Sequence, residues 1–386
     1  MRTIDVVTTS RADYGILLPV LRCMQSDRRL RLRVIVSGSH LSPLFGMTVM
    51  SIEADGFEIA DRIDVLGSSD SAEATADAMG RGLSGFGRHF ARSRPDVLVV
   101  LGDRFEMHSA AAAALPFRLP VAHIHGGEVT TGAFDDALRQ SITKLSHLHF
   151  VTTEGARRRV LRLGEEAWRV TISGAPSLDN LRRVRLRTRQ EVEVETGLRV
   201  PEQFALVTFH PATLEESDPA AQMGTLLDTL ENGAIPAIVT MPNADPGGRA
   251  VRAVIEARAQ STSAVQPVEN LGTDLYFSLM AHATAMVGNS SSGIIEAASF
   301  ALPVVNIGSR QNGRERTGNV IDVAASGEAI AAGLRRALLP SFKASLAGMS
   351  NPYGDGHAAE RIVERLSGID LTSALIQKQP SDAEPA

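Results

Sequence analysis

One cysteine in 386 residues, Cys23, forbids an intrachain disulfide and leaves no thiolate cluster for zinc or iron–sulfur chemistry. Aromatic residues make up only 4% of the chain, with one tryptophan and three tyrosines, so any core must be built from Val, Ile, Leu and Ala. No apolar run approaches the roughly 20 residues that cross a bilayer. The first such run, Ile4 to Thr9, is too short for a signal-peptide core, so the sequence reads as cytoplasmic, with no membrane partner. A basic surface is missing as well. With 39 Lys and Arg against 44 Asp and Glu the formal charge is -5, which excludes a nucleic-acid partner held by counterion release and leaves only local anion binding. Neither a P-loop nor a nucleophile elbow occurs. Gly80-Arg81-Gly82-Leu83-Ser84-Gly85 matches the dinucleotide fingerprint, but the residues before it read as helix, so a turn or close helix packing is the better reading. No period of 20 to 50 residues repeats, which removes solenoids and propellers.

What is present is an alternation of short β-branched runs with helix-patterned stretches, the signature of an α/β fold with parallel sheets. Strands are predicted at Ile4–Thr9, Leu32–Ser37, Val97–Leu101, Val121–His125 and His149–Thr152, enough for one domain. A second series follows at Phe204–Phe209, Ile235–Thr240, Ala264–Gln266, Ala285–Gly288 and Pro303–Asn306. Two Rossmann-like domains facing a cleft are therefore expected, the first over 1–173 and the second over 174–354. Gly174, Pro176 and an Arg-rich polar stretch mark the hinge. Residues 371–386 are polar and are predicted to form a flexible tail.

The carboxyl ends of parallel strands are where open α/β sheets bind ligands, so motifs at those points carry weight. Val97–Leu101 runs into Gly102-Asp103-Arg104-Phe105-Glu106; Asp103 could cap the next helix, but the adjacent Arg104 can fork onto phosphate. The next strand ends in His123-Ile124-His125-Gly126-Gly127-Glu128, where alternation would put both histidines on one face and the glycines would let a ligand approach. Paired imidazoles also hint at zinc, but no third and fourth ligand is evident, so no metal is assigned. Asp135 and Asp136 open a helix, where capping explains one acid comfortably. It does not explain Asp103, Glu128, Asp135 and Asp136 accumulating around one sheet, where repulsion should raise some pKa values and supply acid/base equipment. In the second domain His210 follows the first strand, facing the expected cleft. Gly288-Asn289-Ser290-Ser291-Ser292-Gly293 lies between a strand and an Ile/Ala-rich helix and reads as a phosphate cradle. Arg11 and Arg310, with Arg314 and Arg316 as weaker candidates, would add cations at both lips.

Ser10-Arg-Ala-Asp-Tyr14, Gly102–Glu106, His123–Glu128, Ser141-Ile-Thr-Lys144, Gly288–Gly293 and Asn351-Pro-Tyr-Gly354, in this order over about residues 3 to 365, resemble the hydrolysing UDP-N-acetylglucosamine 2-epimerases of sialic-acid-type sugar biosynthesis. The resemblance implies a glycosyltransferase-B architecture, a last helix near 355–370 returning to the first domain, UDP held mainly by the second, and a homo-oligomer. It implies no cofactor. Carried over by position, Arg11, Ser290, Ser291, Ser292 and Arg310 look like diphosphate contacts, Glu296 like the ribose contact, Leu271 like a backbone reader of uracil, and Asn243 like another nucleotide-side residue. Asp103, Glu128, Asp135 and His210, with His125 and Asp136, look like the catalytic group, and Arg104 would steady substrate or a carboxylate. His125 stands where some relatives carry Glu, and Gln140 replaces a usual His.

The implied reaction takes UDP-N-acetylglucosamine and water to N-acetylmannosamine and UDP. The same reaction on UDP-2,4-diacetamido-2,4,6-trideoxyglucose, on the legionaminic-acid route, is the nearest rival. A non-hydrolysing epimerase, a glycosyltransferase, a metal-dependent hydrolase and a catalytically silent nucleotide-sugar sensor are the others.

Overall fold

Strands buried on both faces need continuous apolar sequence, and the central runs of this chain supply it: Ile4, Val6, Val7 and Val97 to Val100 are all fully buried. The computed structural model describes residues 1–67, 69, 71–131, 134–211, 218–242, 247–269 and 271–379. The chain forms two units, one of 1–128, 135–182 and Tyr353 onward, the other of 129–134 and 183–352.

Among the described residues the first unit has seven parallel strands: β1 (Arg2–Thr8), β2 (Leu30–Ser37), β3 (Ile59–Ile63), β4 (Val97–Leu101), β5 (Val121–Ile124), β6 (Leu148–Val151) and β7 (Val170–Ile172). Their order is β3-β2-β1-β4-β5-β6-β7, so the winding reverses between β1 and β4 and opens a crevice at their carboxyl ends. The Gly80–Gly85 motif lies inside the helix Ala72–Arg92. A Cβ on Gly85 would sit 2.5 Å from Ile63, and one on Gly82 2.9 Å from Ser109, so these glycines serve close helix packing.

Among the described residues the second unit has six parallel strands: β8 (Ala205–Thr208), β9 (Ala237–Thr240), β10 (Val265–Val268), β11 (Ala285–Gly288), β12 (Val304–Ile307) and β13 (Val320–Val323), ordered β10-β9-β8-β11-β12-β13. Its reversal falls between β8 and β11. Each unit has its own aliphatic core. The chain is thus an α/β protein of two doubly wound parallel sheets.

The strands absent from the sequence reading, β3, β7 and β13, are all edge strands. Edges are covered on fewer sides, so β3 reads Ile-Ala-Asp-Arg-Ile and is mostly half-exposed, without the apolar run that marks a central strand. The unit boundary falls at Arg182, not at 173. The 3-10 run Pro176–Arg182 is anchored in the first unit by Asn180, which donates to the Gly15 carbonyl at 2.9 Å. Asp179 accepts from the backbone N–H groups of Ala358 and Ala359 at 2.9 and 2.6 Å, capping the helix Ala358–Gly368.

The expectation of a loose tail from residue 371 is corrected for its first part. Ser373–Ile376 is a short helix, Leu375 is buried in the first unit's core, and the buried Arg169 donates to the carbonyls of Leu375 and Ala374 at 2.8 and 2.9 Å. Lys378 donates to Glu165 at 2.7 Å and to the Ser146 carbonyl at 2.8 Å. One apolar anchor and partners for two buried charges offset the entropy that the polar composition suggested would win. Residues 380–386 lie outside the described residues.

Truncation before Thr372 exposes the Leu375 pocket and removes acceptors from a buried guanidinium, so it should cost roughly 3 kcal/mol. The melting temperature should then fall by about 6–12 °C; a shift under about 1 °C in a thermal melt would show the tail to be dispensable.

Acid sensitivity follows from the buried imidazoles. Burial pushes His123 down to about 3 and His40 and His147 to about 4. These values lie below the usual 6.5, so the unfolded chain takes up the protons first. Their stabilisation is complete above about pH 6.5 and is lost as pH falls toward 4, at roughly 1.4 kcal/mol per group per pH unit. Burial raises Glu165, but hydrogen bonds from His149, Lys144 and Lys378 outweigh it and hold the carboxylate down to about 2, so its contribution goes only below about pH 4.5. Denaturant midpoints should therefore rise steeply from pH 4.5 to 6.5 and flatten above; a flat profile below 6.5 would contradict these assignments.

Candidate active site

In the first unit β4 and β5 deliver their carboxyl ends side by side. Asp103 follows β4 and accepts from the guanidinium of Arg139, whose other terminal nitrogen donates to the His125 carbonyl at 3.3 Å. Arg139 is 3% exposed and lies on the helix Asp135–Leu145, one turn beyond Asp135, so helical spacing sets Asp135 and Arg139 on one face. A buried cation thus ties the two strand ends. The sequence reading passed over Arg139; its spacing from Asp135 was the available signal.

His125 departs from the expected alternation. β5 ends at Ile124, and His125 takes a left-handed φ of 65°, strain of the kind found at functional positions. His123 turns into the core, its ring nitrogens placed 2.7 Å from the Gly102 carbonyl and 3.2 Å from the Thr143 hydroxyl. The histidines do not form a pair on one face. Nor do the glycines clear space for a ligand. A Cβ on Gly127 would sit 2.3 Å from the Ala156 carbonyl oxygen and one on Gly126 3.0 Å from His123, so both are required by packing. Glu128 is buried and accepts from the Thr152 hydroxyl. Asp135 and Asp136 occupy the first helical turn, half-buried, and Asp136 accepts from Gln140 at 2.8 Å. Asp136 is thereby engaged along its own helix, with the residue that departs from the family pattern.

At the β1–β4 crevice Arg11 opens the helix Arg11–Ser26, half-buried. Arg104 has a side chain only 11% exposed and donates to Glu106 at 3.3 Å. The carboxyls that burial pushes up here are Asp13 and Glu106, neither of them singled out from sequence.

In the second unit Asn289 is the organising side chain. Its amide oxygen accepts from the His210 N–H and its amide nitrogen donates to the His210 carbonyl, each at 2.7 Å, locking the end of β8 to the end of β11. The Asn289 carbonyl accepts from Arg310 at 3.2 Å and from Gln311 at 2.7 Å, fixing the loop after β12 as well. Gly288 is required for this junction: a Cβ there would meet the Thr208 carbonyl oxygen at 2.0 Å. The backbone N–H groups of Ser290 and Ser291 have no hydrogen-bond partner among the described residues, whereas that of Ser292 meets the Ser290 hydroxyl at 3.3 Å.

The Ile/Ala-rich helix expected after this loop is a single turn, Ser292–Ile295, followed by the 3-10 turn Ala297–Phe300. What the loop offers an anion is individual N–H groups and hydroxyls, with Arg310 beside them. Glu296 is buried directly behind the loop. Tyr276, missed from sequence, hydrogen-bonds Ser292 and Thr208, and burial pushes its hydroxyl up to about 12, so it acts as a neutral donor or acceptor. Leu271 precedes the helix Gly272–His282, half-buried, while Asn243 lies outside the described residues. Arg314 donates to the Val129 carbonyl at 2.7 Å and Arg316 pairs with Asp322 at 3.2 Å, which commits both to structure.

The protein-family model described as UDP-N-acetylglucosamine 2-epimerase matches residues 22–367. The UDP-N,N'-diacetylbacillosamine 2-epimerase (hydrolyzing) of Legionella pneumophila is 39% identical over 379 residues, covering 98% of this chain and 99% of that protein. The GDP/UDP-N,N'-diacetylbacillosamine 2-epimerase (hydrolyzing) of Campylobacter jejuni is 39% identical over 325 residues, 83% of this chain and 84% of that one. Among solved structures, the UDP-GlcNAc 2-epimerase of Methanocaldococcus jannaschii in complex with UDP-GlcNAc and UDP matches with a TM-score of 0.82 over 95% of this chain and 99% of that one; at 18% identity this is a likeness of fold. The family match over 22–367 and relatives at 39% identity matched over 84–99% of their length place the chain in the UDP-N-acetylglucosamine 2-epimerase family, among its hydrolysing UDP-sugar members.

Proposed function

We propose that the protein converts UDP-N,N'-diacetylbacillosamine, the 2,4-diacetamido-2,4,6-trideoxyglucose derivative, and water into UDP and the free 2-epimeric sugar. Both relatives at 39% identity are named for that sugar, which is why it is preferred over the N-acetylglucosamine derivative that the sequence placed first. The observation that carries the chemistry is the buried Arg139, which binds Asp103 beside the strained His125 backbone.

The C2 hydrogen of a pyranose is not acidic, so its removal must accompany departure of UDP, as positive charge builds at C1. Arg310, Arg11 and the Ser290 and Ser291 N–H groups would stabilise the negative charge developing on the diphosphate, with Ser292 and Tyr276 supporting the loop. Elimination breaks the C1–O bond to UDP and the C2–H bond and gives a 2-acetamidoglycal. Hydration then adds hydroxide at C1 and a proton at C2 on the opposite face, inverting C2. Asp103, Glu128 and Asp135 are the candidate proton carriers, with His210 and His125 as imidazole partners and Asp136 in a lesser part. Glu296 would take the ribose, and Leu271 and Asn243 the uracil side. No cofactor or metal enters this scheme. The reading places the enzyme in the cytoplasm, as a homo-oligomer supplying sialic- or legionaminic-acid-type sugars.

The test is turnover by chelator-treated protein in deuterated water, followed by proton NMR. The expected product is the free 2,4-diacetamido sugar, inverted and deuterated at C2, with stoichiometric UDP. Faster turnover of UDP-N-acetylglucosamine would move the substrate assignment. Tight UDP binding without turnover of either sugar would favour the sensor, and activity lost on chelation and restored by zinc would overturn the metal-free scheme.

A further inference from the structure

A helix on the surface of a sheet usually docks through a continuous apolar stripe. The helix Asp135–Leu145 has little of one: Ile142 is its single fully buried apolar side chain, and Leu138 and Leu145 are only half-buried against the core. Polar ties supply the rest. Near its start the buried Arg139 bonds Asp103 and the His125 carbonyl. Further along, the Ser141 hydroxyl lies 3.0 Å from the His108 ring and the Thr143 hydroxyl 3.2 Å from the His123 ring. At its end Lys144 donates to the Leu163 carbonyl at 3.0 Å and to Glu165 at 2.7 Å.

The last carbonyls of a helix have no N–H group of their own helix to accept from. Here the carbonyls of Lys144, in the last turn, and Ser146, just beyond it, accept from the ammonium of Lys378 at 2.9 and 2.8 Å. The same ammonium donates to Glu165 at 2.7 Å, and its side chain is only 18% exposed. The cap is thus brought from the other end of the chain, delivered by the Leu375 anchor and by the bonds of Arg169 to the carbonyls of Leu375 and Ala374. A cation in this place also complements the negative end of the helix dipole.

We propose that Lys378 is a positioning residue: as a cap supplied by the C-terminal segment, it fixes the carboxyl end of the helix Asp135–Leu145 and so holds Arg139 in register with Asp103 and the His125 carbonyl. This rests on the UDP-sugar reading above. Arg139 and Lys144 are about 8 Å apart along the helix axis, a length over which a helix is stiff, so a shift at the capped end is carried to the clamp. With so little apolar surface beneath it, the helix has few other contacts to resist that shift. Removing the cap strands no buried charge, because Glu165 keeps Lys144 at 2.7 Å and His149 at 3.0 Å. The effect expected is therefore on turnover more than on folding.

The test is steady-state kinetics on the preferred UDP-sugar for the wild type, Lys378→Met, a chain ending at Gln377, Arg139→Met and the Lys378→Met/Arg139→Met double variant. Each is assayed well below its melting temperature, with UDP affinity and the number of UDP sites measured by calorimetry. Lys378→Met keeps most of the side-chain stem, and the shortened chain keeps the Leu375 anchor. Both should lower kcat per UDP-binding site by about 5- to 50-fold, with KM and UDP affinity within about twofold of the wild type and the number of sites unchanged. On the Arg139→Met background the further loss from Lys378→Met should be under about threefold, because both act through one clamp. A Lys378→Met variant that loses melting temperature but keeps kcat per site, losses that multiply in the double variant, or a fall in UDP affinity equal to the fall in kcat would each overturn the proposal. A wild type inactive on every UDP-sugar would instead overturn the functional reading and this inference with it.

Discussion

Parallel pairing forces every strand of a unit to present its carboxyl end at the same edge. In this chain nearly all of the candidate chemistry follows from that constraint. Asp103 and Arg104 leave β4, His125 and Glu128 leave β5, His210 leaves β8, and the Ser290–Ser292 loop leaves β11. The helices between them contribute only what reaches back over that edge, as Arg139 and Tyr276 do. Register then fixes which residues meet, since Val100 pairs with His123 and Gly288 with Thr208, and a one-residue slip would turn each site group to the other face.

The two units solve the problem of loose strand ends differently. In the first, a buried guanidinium bonds a carboxylate and a carbonyl, an arrangement that fixes geometry and charge together. In the second, the neutral amide of Asn289 bonds both backbone groups of His210 while its own carbonyl anchors Arg310. A cationic clamp suits a site that must hold a carboxylate in place. A neutral one fixes the loop without adding a charge of its own beside Arg310.

The central strands were legible because burial on both faces imposes an unbroken apolar run, and the motifs at their ends were legible because fold class fixes where ligands go. Edge strands β3, β7 and β13 were not, since partial exposure mixes polar residues into them. The alternation rule failed at His125 because it holds only within a strand, and the chain turns left-handed one residue past the end of β5. Gly126 and Gly127 looked like room for a ligand and are room for His123 and Ala156, a distinction that only tertiary packing makes. Arg139 and Tyr276 escaped notice for a related reason: each draws its significance from a partner distant in sequence. The tail was misread because composition averages over residues, whereas docking depends on Leu375 and Lys378 in particular.

The central claim is a division of labour, in which the carboxylate fixed by Arg139 takes part in the chemistry while the loop organised by Asn289 holds the nucleotide. It is tested most directly by measuring UDP affinity calorimetrically, and turnover in parallel, for Asp103→Asn. The account predicts UDP affinity within about twofold of the wild type and turnover reduced by at least about 100-fold. A variant that loses UDP affinity, or one that keeps its turnover, would contradict it.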